Sequence, residues 1–147
     1  MALLAPADQE QLRQAFSEMT APVRLLFFTQ TIDCEPCVHT RQILDELPLV
    51  SDKITIEEVP FLLEKEKASQ FTIDRVPAIA IVGQDGSGEA RDSRIRFLGA
   101  PAGYEFISLV QAVLLVGGGG SNLTEQNRRR IAAVDKPLTL QVFTTPT

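Results

Sequence analysis

The sequence predicts an α/β fold, a central mixed sheet of about four strands flanked by helices, and three observations carry that reading. Short apolar runs rich in β-formers alternate with segments of helical periodicity over most of the 147 residues. Residues 23–29, 38–47 and 54–59 succeed one another as strand, helix and strand, the order of a right-handed βαβ crossover with parallel strands. Two further apolar runs, 73–83 and 94–99, flank the turn cluster Gln84-Asp85-Gly86-Ser87-Gly88, which predicts an antiparallel hairpin with a long, mobile tip.

Taken in order, the chain opens with a helix capped by Asp8, Gln11 completing a capping-box-like pair, with Leu12, Ala15, Phe16 and Met19 on one apolar face. Pro22 leads into Val23-Arg24-Leu25-Leu26-Phe27-Phe28-Thr29, which reads as a buried strand. Val38, Ile43, Leu44 and Leu47 then recur at helical spacing until Pro48 breaks the pattern. Ser51-Asp52-Lys53 turns the chain into the strand over 54–59. Pro60 introduces a short amphipathic helix over 61–71. Pro77 lies within the following apolar strand, where a proline is tolerated because the first ladder residue need not donate a hydrogen bond. On the residues alone its peptide bond is an ordinary trans one. Phe106, Leu109, Val110, Val113 and Leu114 mark the buried face of a last helix, and the unit is expected to close near Val116.

The chemistry concentrates in Cys34-Glu35-Pro36-Cys37, which holds the chain's two cysteines and bridges the end of a strand to the start of a helix. A cysteine at a helix N-terminus faces unpaired N–H groups and the positive end of the macrodipole, so its thiolate is favoured. Cys34 is therefore the expected nucleophile. Cys37, one turn on, can attack a mixed disulfide formed at Cys34, release the partner and close an internal disulfide. Pro36 falls in the first helical turn, where its missing N–H costs nothing and its fixed φ suits the helix.

Other readings of the pair lack partners. Tetrahedral zinc needs four ligands, and beyond the cysteines the chain offers His39 and carboxylates. Covalent haem attachment needs a histidine directly after the second cysteine, and that position is Val38. His39, the single histidine, reads as a helix-surface residue. A metal or iron–sulfur module remains open only if two chains pool their cysteines.

Composition bounds the class. A hydrophobic fraction of 44% fills a core for a domain of this size without disulfide staples. The formal charge of −5 and the lack of a basic face argue against nucleic acid as a partner; Arg128-Arg129-Arg130, the one basic run, suits a helix C-terminus. No stretch approaches the roughly 18 apolar residues of a membrane helix, and residues 1–8 lack the basic start of a signal peptide. The expectation is a cytoplasmic protein, a setting in which a lone Cys-x-x-Cys near a βαβ pattern is a redox motif.

Gly117-Gly118-Gly119-Gly120-Ser121 reads as a flexible linker. After it, Asn122 caps an expected helix to about Val134, and residues 137–145 read as a strand. Helix, proline, apolar strand ending in Phe-Thr: residues 122–145 repeat the pattern of 8–29, which suggests a duplicated fold. The expected organisation is a redox unit over 1–116, a linker over 117–121 and a helix and strand of an incomplete second unit over 122–147. An unpaired strand at 137–145 also makes a dimer through that segment an expectation.

These features resemble the protein disulfide oxidoreductase family, glutaredoxin-like proteins of two tandem thioredoxin folds, best known from thermophilic archaea and bacteria. The resemblance rests on residues 27–29 through Cys34-Glu35-Pro36-Cys37, on Asp74-Arg75-Val76-Pro77-Ala78, and on Gly99-Ala100-Pro101-Ala102-Gly103-Tyr104-Glu105-Phe106. It implies a thioredoxin fold, thiol–disulfide exchange with protein substrates, no cofactor beyond a redox-active Cys34–Cys37 disulfide, and a thioredoxin-reductase-like electron donor. It further implies a cis Val76–Pro77 bond beside the cysteines, with Val76, Pro77, Glu35 and Pro36 forming the substrate-binding groove.

There are departures. Where many thioredoxins hold a buried aspartate six residues before the first cysteine this chain has Phe28, and Asp33 stands where they have tryptophan. Glu35 places negative charge against the helix dipole's stabilisation of the thiolate. The chain also resembles the tandem thioredoxin-fold domain of alkyl hydroperoxide reductases, which implies an electron-relay unit for a flavin-dependent reductase. In that group the first unit generally lacks its cysteine pair.

Overall fold

The computed structural model describes residues 3–145. Pro146 and Thr147, which close the expected second unit, lie outside the described residues. The elements run α1 (Pro6–Phe16), β1 (Val23–Thr29), α2 (Glu35–Asp45), β2 (Ile54–Pro60), α3 (Lys65–Gln70), β3 (Ala78–Gln84), β4 (Ala90–Leu98), α4 (Tyr104–Val116) and α5 (Glu125–Ala132).

The four strands form one mixed sheet in the order β2-β1-β3-β4. β1 pairs parallel with β2 and antiparallel with β3, and β4 pairs antiparallel with β3. β1 is central because its apolar run has a buried face on each side, Arg24 alone being exposed. Leu25 and Phe27 enter one core with Phe16, Leu44, Ile79, Ile81, Leu109 and Val113. Leu26 and Phe28 enter the other with Val59, Ala68, Ala78, Ala80 and Val82. On this second face the register sets Ala80 beside Leu26 and Ala78 beside Phe28, small against large, and the Phe28 ring meets Phe71 at 6.1 Å. Burial of one such aromatic side chain contributes about 1.5–3 kcal/mol.

Local chemistry moves several boundaries from their expected places. α1 starts at Pro6 with Ala5 as its N-cap and no side-chain cap, because a proline is preorganised for the first turn; Asp8 sits within that turn rather than before it. α3 covers Lys65–Gln70 only, since after Pro60 the chain first makes a turn in which Leu63 and Glu64 donate to the Pro60 carbonyl. β3 begins after Pro77, and residues 73–77 are a loop. The hairpin is longer than expected and its tip shorter. Asp85 organises that tip by accepting hydrogen bonds from Ser87 N, Ser87 Oγ and Glu89 N.

The chain beyond α4 also differs. Thr124, not Asn122, caps α5, its hydroxyl accepting from Asn127 N at 3.2 Å. The expected strand over 137–145 does not form: these residues join no ladder and are exposed, Phe143 to 90%. A strand needs a neighbour: β1 has one on each edge, and residues 137–145 have none among the described residues. The glycine run is packed at its start. The Gly117 carbonyl accepts from Thr20 N and Ala21 N at 2.9 and 3.1 Å, and Gly119 N donates to Leu114 O at 2.9 Å.

Candidate active site

Register shows what gathers at the C-terminal edge of β1. Thr29 lies opposite Pro60 at the end of β2, Phe28 opposite Ala78 at the start of β3, and Ala78 opposite Leu98 at the end of β4. Four loops therefore converge there: 30–34 with the first cysteine, 61–64, 72–77 and 99–103. The exposed large apolar residues Ile32, Val38, Leu62, Leu63, Leu98 and Tyr104 lie on these loops or beside them. A groove of about 410 Å³, lined by Phe61, Leu62, Ala68, Thr72, Ile73 and Asp74, opens between two of the loops.

The cysteine loop is short and braced. Gln30 Nε2 donates to the carbonyl of Ile32 at 2.8 Å, and Asp33 takes a left-handed backbone with φ 56° that redirects the chain into α2. Cys34 is the N-cap of that helix, and Pro36 lies in its first turn. Cys34 and Cys37 are joined by a disulfide with a Cα separation of 5.3 Å. Their environments differ, however: Cys34 is half-buried and Cys37 is 3% exposed. Behind them the fully buried Thr40 donates its hydroxyl to the Pro36 carbonyl at 2.7 Å. Glu35 is exposed, and so is His39, as a helix-surface residue would be.

The Val76–Pro77 bond is cis. Pro77 is buried, its carbonyl accepting from Gly99 N at 2.9 Å. Val76 is half-buried and packs against both cores, including the one that Cys34 also touches. The structure thus brings Cys34, Cys37, Val76 and Pro77 to one end of the sheet. Beside them, Asp74 and Arg75 pair with each other at 2.8 Å, which holds the Asp74 carboxyl below its usual range, chiefly through the hydrogen bond from Arg75. Thr40 escaped the sequence reading, because a lone buried hydroxyl carries no pattern of its own, and Gly99 stood out only as the start of the 99–106 stretch, its bond to the Pro77 carbonyl being visible in the fold alone. No group of three or more His, Cys, Asp or Glu side chains among the described residues is placed to hold one metal ion. Nor is any described helix long and apolar enough to cross a membrane.

No family model matches the chain. A probable thioredoxin from Methanothermobacter thermautotrophicus is 31% identical over 78 residues, a match covering 52% of this chain and 80% of that protein. The chain belongs to the thioredoxin family. The F component of alkyl hydroperoxide reductase from Escherichia coli is 26% identical over 133 residues, 90% of this chain but 22% of that much longer protein. Among solved structures, the NTD_N/C domain of alkylhydroperoxide reductase AhpF from Enterococcus faecalis superposes with a TM-score of 0.78 at 29% identity, covering 90% of this chain and 62% of that one. A protein disulfide oxidoreductase from Aeropyrum pernix shares the fold, with a TM-score of 0.73 at 21% identity over 88% of this chain and 54% of its own.

Membership in the family fits the site: a thioredoxin-like fold that carries a redox disulfide of Cys-x-x-Cys spacing at Cys34 and Cys37.

Proposed function

We propose that this thioredoxin-family chain exchanges disulfides with protein substrates, with Cys34 as nucleophile and Cys37 as resolving thiol. The observation that carries the reading is the asymmetry of the pair: Cys34 is half-buried at a helix N-cap, whereas Cys37 is 3% exposed. In the reduced chain the Cys34 thiolate attacks a substrate disulfide, forming a mixed disulfide and releasing one substrate thiolate. The Cys37 thiolate then attacks Cys34 Sγ, the intermolecular S–S bond breaks, and the second substrate thiolate leaves. Two electrons pass to the substrate and the Cys34–Cys37 disulfide forms, so the pair carries the redox equivalents with no resident cofactor. Val76 and Pro77 line the substrate groove, with Glu35 and Pro36 on its rim.

Replacing Cys37 by Ser is expected to accumulate mixed disulfides through Cys34, and replacing Cys34 by Ser to abolish exchange. Equal activity in the two variants would overturn these roles.

A second reading makes the same couple a relay fed by a flavin-dependent reductase, and the likeness to the AhpF domain over 90% of the chain favours it. Reduction of the Cys34–Cys37 disulfide by a flavoprotein reductase with NADH, faster than by a thioredoxin-reductase-type donor, would support the relay. Residues 122–145 are then the opening of a second unit of the same fold, a reading supported by their repetition of 8–29 and by α5.

A further inference from the structure

The loop that carries Val76 and Pro77 is tied to β4 at both ends. At its exit, Gly99 N donates to the Pro77 carbonyl at 2.9 Å. At its entrance stands Arg96. The Arg96 guanidinium donates Nε to the Phe71 carbonyl at 2.9 Å, stacks over the Phe71 ring with Cζ 5.5 Å from its centroid, and forms a fork on Asp92 at 2.8 and 2.6 Å. The Arg96 side chain is 18% exposed and that of Asp92 34%, so the fork is partly withdrawn from solvent.

A bulge makes this geometry possible. Ala80 lies opposite Arg96 and Val82 opposite Asp92, so four steps along β4 span two along β3. Ser93 Oγ donates to the Ile81 carbonyl at 2.6 Å and Arg94 takes φ 64°, which turns Asp92 back toward Arg96. Just beyond Phe71, Thr72 holds φ 58°, unfavourable for a β-branched residue. Its N–H reaches Ser69 O at 3.0 Å, and Ile73 N reaches Ala68 O at 2.8 Å. The left-handed turn into the loop therefore starts from a carbonyl that Arg96 fixes.

We infer that Arg96 is a positioning residue for substrate recognition: with Gly99 it holds residues 72–77 between two fixed points, so the Val76 backbone meets an incoming protein disulfide at a set place. The loop's role in recognition rests on the oxidoreductase reading; the clamp itself does not. A small disulfide that reacts at Cys34 without contacting the loop is indifferent to it.

The test compares Arg96→Lys with the unsubstituted chain in three measurements: reduction of insulin with a dithiol as reductant, reaction of the reduced protein with a small aromatic disulfide, and hydrogen–deuterium exchange at the amides of residues 72–76. Lysine keeps the charge but cannot hold Asp92 in a fork and the Phe71 carbonyl together. The expected result is a KM for insulin raised about tenfold, kcat and the small-disulfide rate within about twofold, and faster exchange at 72–76. An unchanged KM with unchanged exchange overturns the proposal. Equal loss toward both disulfides overturns it too, because that marks a general structural role. Should Arg96→Lys fail to fold, Asp92→Asn at its half-exposed position takes its place in all three measurements, with the same results supporting or overturning the clamp. If the unsubstituted chain leaves insulin intact, the oxidoreductase reading falls, and the exchange rates at 72–76 still decide the clamp.

Discussion

Cys37 donates its backbone N–H to the carbonyl of Cys34 at 3.1 Å, so the two cysteines share a turn of backbone as well as a disulfide. Reduction therefore breaks one link of two, and the thiols stay within a single turn of each other. The helix holds the buried Cys37 in place, with the less buried Cys34 sulfur on the outer side.

That outer sulfur has an acidic neighbour. Glu35 is exposed in the first turn of α2, and its charge works against the thiolate that the helix N-terminus favours. Glu35→Gln is expected to shift the pH profile for alkylation of Cys34 in the reduced protein to lower pH. On the rising limb of that profile the rate increases about threefold, the factor given by ~0.7 kcal/mol of repulsion at high dielectric. A profile that stays in place would show the charge to be screened at Cys34.

Thr40 supports the motif from below. Valine there keeps the shape, removes the donor to the Pro36 carbonyl, and is expected to cost about 1 kcal/mol in urea unfolding. No change in midpoint would mean that the carbonyl finds another donor.

Gly118 and Gly120 offer a matched pair. Gly118 has φ 102°, and a Cβ there would lie 2.0 Å from Thr20 Oγ1; at Gly120 a Cβ meets nothing within 4 Å. Gly118→Ala should destabilise by about 1–3 kcal/mol while Gly120→Ala stays near neutral. Thermal unfolding of the two variants checks this, and equal behaviour would count against the packed start of the glycine run.

Acid should expose the Asp92 contribution. The hydrogen bond from Arg96 holds the Asp92 carboxyl below its ordinary value, against a smaller opposing effect of burial, so the folded chain takes up this proton less readily than the unfolded one. The stability it contributes is present above the unfolded value near 4 and is lost as pH falls through the lower folded value. The stability difference between the wild-type chain and Asp92→Asn should accordingly shrink below about pH 4. A difference that is flat through that range would contradict the fork.

Much of this was legible in the residues. The run at 23–29 marks β1 because it is apolar on both faces, and Cys34 falls at a helix start because Pro36 can occupy a first turn. What escaped depends on partners distant in sequence. The bulge at Ser93 and Arg94 lies in a polar stretch and exists only through its register with β3. The cis Val76–Pro77 bond follows from the family resemblance, since the residues alone favour trans. Residues 137–145 carry a strand's alternation, yet alternation states only which face would be buried if a neighbour were there. α1 misled for a local reason: Asp8 resembles a cap, but Pro6 can open the helix earlier.

The glycine run, finally, bears on where the domain can be cut. Composition marks Val116 as the natural place, but the Gly117 carbonyl is the acceptor for Thr20 and Ala21, and Gly119 closes back on Leu114. A chain ended at Val116 would strip two donors of their acceptor at the mouth of β1 and uncover Met19, which Gly117 approaches closely. The shortest excised domain that keeps these contacts runs through Gly119.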